Sequence, residues 1–172
     1  AVVGAGPVGL QAAWILAKRG HEVKVYEKEI TAGGQYRLAA VPAMKQELAK
    51  TISTYLTFCK KYGAEVIYGV KATKEMLEQE GFDEIILACG AQPLVPRIPG
   101  IDGENVYLAN QVLSFDVRLS GQKILVLGAG LVGAEAAEVL STYGNQVTVV
   151  DMLDKAAPLA PLRPRENLLS RL

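Results

Sequence analysis

"VVGAGPVGLQA" at Val2–Ala12 and "VLGAGLVGAEA" at Val126–Ala136 are near copies of one phrase, 124 positions apart. Each sets three glycines in the spacing G-x-G-x-x-G: Gly4, Gly6 and Gly9, then Gly128, Gly130 and Gly133. Each follows an apolar run and opens a helical pattern, which Gly20 and Gly144 then stop. An acid, Glu27 or Asp151, lies 18 positions beyond the last glycine, at the end of the next alternating run. One bare G-x-G-x-x-G is expected about 0.16 times by chance in a chain this rich in glycine, so a single copy says little. Repetition of the whole strand–turn–helix–strand unit, acid included, decides the fold.

Each residue type has a physical reason. The first glycine permits the tight turn out of the strand. The second lets a pyrophosphate approach the backbone with no Cβ in the way, and the third lets helix and strand pack closely. The helix start then offers unpaired N–H groups and the positive end of its dipole to the phosphates. Pro7 suits the first helical position, where no intrahelical N–H bond is lost. Glu27 and Asp151 stand where a carboxylate accepts hydrogen bonds from adenosine ribose hydroxyls. Two such units imply two dinucleotides.

The rest of the chain completes an α/β reading: two Rossmann-like βαβ dinucleotide-binding domains with parallel sheets, the second incomplete. In the first helix, Val8, Leu10, Ile15 and Leu16 are expected on the buried side. Residues 42–62 read as a long helix, with apolar residues every third or fourth position. "AEVIYG" and "VKAT" read as short strands of a hairpin or meander, and "DEIILACG" as a buried strand. "QPLVPRIPGIDG", residues 92–103, has connector composition. The expected domains are residues 1–94, a linker at 95–103, and residues 104–172. The latter carries a short strand at Val106–Tyr107, a short helix near Asn110–Ser114, the second βαβ unit and the start of a terminal helix. The chain is expected to be a piece of a longer protein.

Composition narrows the function. Lysine plus arginine and aspartate plus glutamate are 18 each, so the formal net charge is zero. Bulk electrostatic binding to nucleic acid or a membrane surface is not expected. Apolar stretches are too short and broken for a transmembrane helix. Cys59 and Cys89 form no C-x-x-C, which suits a reducing cytoplasm. His21, the single histidine, is read as an exposed turn residue, and no metal site is expected.

"VVGAGPVG", "YEKE", "AGGQYRLAA", "IILACGAQPLVPRIPGIDG" and "VLGAGLVGAEAAEVL" together resemble the flavin–nicotinamide reductases that carry two dinucleotide-binding domains. The chain is similar to the C-terminal FAD/NAD(P)-binding, pyridine nucleotide-disulfide oxidoreductase-like module of the old-yellow-enzyme-like NADH:flavin oxidoreductases. That group includes dienoyl-CoA reductases and trimethylamine dehydrogenase. The resemblance implies FAD on the first copy and NAD(P)H on the second. It assigns Gly4, Gly6, Pro7 and Gly9 to the FAD pyrophosphate, and Glu27 and Lys28 to the ribose end. Gly33, Gly34 and Gln35 match the family's G-G-Q. Ala72 matches a strand position whose backbone meets the adenine. Ala88, Cys89 and Gly90 match A-T-G, with Cys in place of the usual Thr. In the second copy it assigns Gly128, Gly130, Leu131, Val132 and Gly133 to the NAD(P)H pyrophosphate. Glu135 matches G-x-x-G-x-E, either facing the nicotinamide end or serving as a plain helix carboxylate. Asp151 favours NADH, because a carboxylate repels the 2′-phosphate of NADPH.

The resemblance further implies hydride transfer from NAD(P)H to FAD, with electrons passed to another redox centre of a larger flavoprotein. No side chain is expected as general acid or base for that step. FMN and an iron–sulfur cluster are expected only in an upstream flavin barrel, and a homo-oligomer is possible. Two alternatives stand beside this. A disulfide reductase of thioredoxin-reductase type needs a C-x-x-C that is absent here. A non-catalytic module could hold ADP or a similar nucleotide for structural ends.

Overall fold

In the computed structural model, which describes residues 1–172, the chain leaves β1 (Val2–Val3) through the Gly4–Gly6 turn into α1 (Pro7–Lys18). Gly20, at φ +95°, ends the helix as expected. The face of α1 turned to the sheet is Gly9, Leu10, Ala13 and Ala17, small apart from one leucine, so helix and strands approach closely. Val8 is not part of that face. It is 70% exposed, because the helix phase that buries Gly9 and Ala13 turns position 8 outward.

β2 (Lys24–Glu27), α2 (Gln35–Ala39), α3 (Leu48–Tyr62), β3 (Glu65–Tyr68), α4 (Lys74–Glu80) and β4 (Ile86–Leu87) complete the first unit. All strands are parallel, in the order β3-β2-β1-β4. Val2, Val25, Leu10, Ala13, Ile52 and Cys59 share one core, in which α1 and α3 cover one face of the sheet.

Four expectations need correction here. The helix expected over 42–62 begins only at Leu48; Met44, at φ +63° and 80% exposed, lies outside helical geometry and interrupts the apolar period. "VKAT" forms no strand. β3 runs parallel to β2, so there is neither hairpin nor meander, and Thr73 instead caps α4 by accepting from Met76 N at 3.3 Å. "DEIILACG" contributes two paired residues at a sheet edge, where Leu87 is 74% exposed. α2 and α4 have too few residues for a readable period.

The second unit contains α5 (Ala109–Leu113), β5 (Lys123–Leu127), α6 (Leu131–Thr142), β6 (Gln146–Val150) and α7 (Leu162–Leu169). Val106–Tyr107 joins no sheet and is not a strand; Val106 N instead closes a turn on Gly103 O at 2.9 Å. β5 and β6 pair in parallel, from Lys123 opposite Gln146 to Leu127 opposite Val150. α6 buries every residue from Ala134 to Leu140, including Glu135 and Glu138. Glu138 is held by the Arg171 guanidinium beyond the end of α7. The chain divides into two compact units, residues 1–40 with 45–92, and residues 41–44 with 93–172.

Candidate functional site: two braced glycine turns

The glycine turns are alike hydrogen bond by hydrogen bond. Gly4 N donates to Tyr26 O at 2.8 Å, and Gly128 N to Val150 O at 2.8 Å, so each turn leaves its strand locked to the next strand. Ala5 N donates to Glu27 Oε2 at 2.8 Å, and Ala129 N to Asp151 Oδ2 at 2.5 Å. The other carboxylate oxygen accepts from Glu29 N at 2.9 Å and from Leu153 N at 2.8 Å. Leu10 N and Ala134 N close the first helical turns on Gly6 O and Gly130 O, both at 3.0 Å. Gly33 N reaches Ala5 O at 2.8 Å, and Ala157 N reaches Ala129 O at 2.6 Å.

The three glycines of a trio are not equivalent. A Cβ on Gly9 would stand 1.9 Å from Gly4 O, and one on Gly133 equally close to Gly128 O. These third glycines are needed for packing. Gly4 and Gly128 take φ +105° and +100°, which favours glycine at the turn itself. Gly6 and Gly130 differ: a Cβ on either meets nothing within 4 Å. Nothing inside the chain requires glycine there, and the space before each helix start is open. α1 and α6 carry first-turn N–H groups that no intrahelical carbonyl can satisfy, and neither has a side-chain cap. An open cradle lined by unsatisfied donors fits a diphosphate.

The acids do more than was expected of them. Both oxygens of each carboxylate already accept a backbone N–H, so each acid first fixes the shape of its own glycine turn. A carboxylate has about four lone-pair sites, so acceptor capacity remains for ribose hydroxyls. Glu27 is buried, whereas Asp151 is exposed. Hydrogen bonds from Leu153 and Ala129 hold the Asp151 carboxyl below its ordinary range.

Around the first turn the fold gathers most of the expected residues. A Cβ on Gly4 would stand 2.4 Å from Ala88 O, and Cys89 Sγ lies 3.7 Å from Val3 O. Cys89 is exposed rather than packed away. Gly34 faces Gly6, whose Cα would be 3.8 Å from a Cβ placed on it. Gln35 donates to Ala91 O, tying the start of α2 to the loop after Gly90. Lys28 is exposed and pairs with Glu29 at 3.6 Å. Ala72 stands in the coil between β3 and α4, not in the strand expected for it. In the second unit Leu131 and Val132 are exposed at the first turn of α6, while Glu135 is 6% exposed within it.

Ala5, Ala129 and Ala157 were missed as site residues. Their signal is the repeat itself, because continuing the 124-residue offset beyond the acids pairs Gly33 with Ala157.

Residues 1–167 match the model of the pyridine nucleotide-disulphide oxidoreductases. The chain belongs to that family. Family membership implies an oxidoreductase that binds FAD and NAD(P)H. Bilirubin reductase of Mediterraneibacter gnavus is 38% identical over 156 residues, covering 91% of this chain and 24% of that protein. NADH oxidase of Thermoanaerobacter brockii is 39% identical over 165 residues, covering 94% and 25%. The chain thus spans about a quarter of the curated relatives it matches. Among solved structures, 2-naphthoyl-CoA reductase in complex with 2-naphthoyl-CoA superposes with TM-score 0.91 at 27% identity, over 99% of this chain and 26% of that one. Histamine dehydrogenase from Rhizobium sp. 4-9, at TM-score 0.81 and 22% identity over 99% and 28%, shares the fold. No helix is long and apolar enough to cross a membrane, and no cluster of three metal-ligating side chains exists.

Proposed function

We propose that this chain is the dinucleotide-handling module of a larger flavoprotein in the old-yellow-enzyme-like NADH:flavin oxidoreductase group. Residues 1–94 hold FAD, residues 95–103 link, and residues 104–172 hold NAD(P)H. The observation that carries this reading is the pair of open, donor-lined cradles at Gly6 and Gly130, each braced by the same five hydrogen bonds. Bound in these cradles, the two cofactors supply hydride chemistry, nicotinamide to flavin.

The chain's own part is to bind and orient. The first turns of α1 and α6 neutralise diphosphate charge with backbone N–H groups and the helix dipole. Glu27 and Asp151 keep each turn in shape and present remaining lone pairs to ribose. Asp151 is held ionised by its two backbone donors, so it opposes a 2′-phosphate and favours NADH over NADPH. Ala88–Gly90 and Gly33–Gln35 flank the first cradle. No side chain is assigned proton transfer. FMN, an iron–sulfur cluster and the final electron acceptor belong to the remaining length of the protein, which works in the cytoplasm.

A spectroscopic titration tests the reading. The purified chain should take up FAD with a shifted flavin band, and NADH should bleach that band faster than NADPH does. Tight ADP binding with no flavin uptake would favour a structural nucleotide module instead.

A further inference from the structure

Away from both glycine turns, the second unit carries a pocket of about 460 Å³, partly open to solvent and within the usual range for small-ligand sites. Its walls come from α5, the 115–120 segment and the far end of α6. That is the opposite end of α6 from Gly130, roughly 15 Å along the axis at 1.5 Å per residue.

The cavity is built rather than left over. Asn145, 9% exposed, donates through Nδ2 to Leu119 O and to Leu140 O, both at 2.8 Å. One buried amide thus fastens two walls together. Ser120 Oγ donates to Tyr143 O at 3.0 Å and ties the same segment to the helix end. Phe115 follows α5 at φ +63°, the left-handed position that helix ends ordinarily give to glycine. A phenylalanine there carries backbone strain that a glycine would not. The ring stands edge-on to Tyr143, centroids 6.5 Å apart at 83°. Both rings line the cavity, together with four aliphatic side chains that include Leu119 and Leu140.

The polar content is specific. Ser120 and Arg118 also line the pocket and no acid does; the Ser120 hydroxyl proton is already given to Tyr143 O, whereas the Arg118 guanidinium has no partner within the chain. An apolar chamber with one free guanidinium selects a ligand with a hydrocarbon body and a single planar anion. A guanidinium fork matches a carboxylate through two parallel N–H bonds.

We propose that this cavity binds a small apolar monocarboxylate, its body against Phe115, Tyr143 and Leu140 and its carboxylate on Arg118. The site is independent of the dinucleotide cradles.

4-Phenylbutyrate and its neutral amide, 4-phenylbutyramide, are suitable probes, titrated into the chain while backbone amide resonances are followed by NMR. The acid should give saturable shifts at Leu119, Leu140 and Tyr143, with at least tenfold higher affinity than the amide. Arg118→Gln should erase the difference between acid and amide. Phe115→Gly should keep or raise the melting temperature, because glycine suits that φ, yet weaken both probes. Absence of saturable shifts, shifts centred on Gly6 or Gly130, or equal affinity for acid and amide in the unaltered chain would each overturn the proposal.

Discussion

Gly33 and Ala157, 124 positions apart, make the same hydrogen bond in the two halves of the chain. Each donates its backbone N–H to the carbonyl between the first two glycines of its own turn, Ala5 or Ala129. Both have positive φ, +112° for Gly33 and +45° for Ala157. The alanine therefore carries strain that the glycine does not, and it is buried while doing so.

That difference has a measurable consequence. Ala157→Gly should stabilise the second unit by up to about 1 kcal/mol, the left-handed strain relieved less the added freedom of glycine when unfolded. Gly33→Ala should destabilise by at least about 1–2 kcal/mol through its φ alone. Its Cβ would also stand 2.7 Å from Arg37 Cγ. Urea melts of the two variants check the opposite signs.

The middle and last glycines of a trio should separate binding from folding. Gly6→Val should leave the melting temperature close to that of the parent chain, since a Cβ there meets nothing within 4 Å. It should abolish FAD uptake, because the side chain fills the diphosphate's approach. Gly9→Ala should unfold the unit, since its Cβ would stand 1.9 Å from Gly4 O. Circular dichroism melts paired with FAD titration distinguish the two. Normal FAD affinity in Gly6→Val would refute the placement of the first cradle.

Asp151 links pH to the second turn. Its carboxyl titrates below the ordinary range because backbone N–H groups bond the charged form. Its stabilising contribution is therefore complete above the unfolded carboxylate pKa, near 4, and is lost as pH falls through the lower folded value. Asp151→Asn should flatten the acid limb of the stability curve. Asp151→Ala should weaken NADH more than NADPH in fluorescence titrations. Equal weakening of both would remove the assigned preference.

Glu138 and Arg171 test how the end of the chain is fastened. Glu138 is 4% exposed and its carboxylate meets the Arg171 guanidinium. Arg171→Ala strands a buried charge, so it should lower the melting temperature more than the double change Glu138→Leu with Arg171→Ala. Thermal melts of both variants and the parent supply the comparison.

The parallel pairing of β1 with β2 and β5 with β6 was legible from the repeated phrase, as were α1, α6 and the glycine stops. These depend on local causes: a spacing of glycines that only a strand–turn–helix satisfies, and alternation that fits a strand. Other segments were misread for equally physical reasons. Residues 42–47 carry the apolar period of a helix but not its geometry. "VKAT" has strand-forming residues but no strand to pair with. Leu87 looks like a core residue in sequence and lies at a sheet edge in the fold.

Sequence alone determined that two glycine turns of one form exist, because glycine at fixed spacing is a backbone requirement written locally. Only tertiary structure decided what braces these turns and what else the second unit carries. Which N–H reaches Glu27 or Asp151, that Ala157 stands in for Gly33, and that Phe115 and Arg118 line a chamber all depend on contacts between distant residues. Such contacts follow from how whole elements pack, and no local pattern records them.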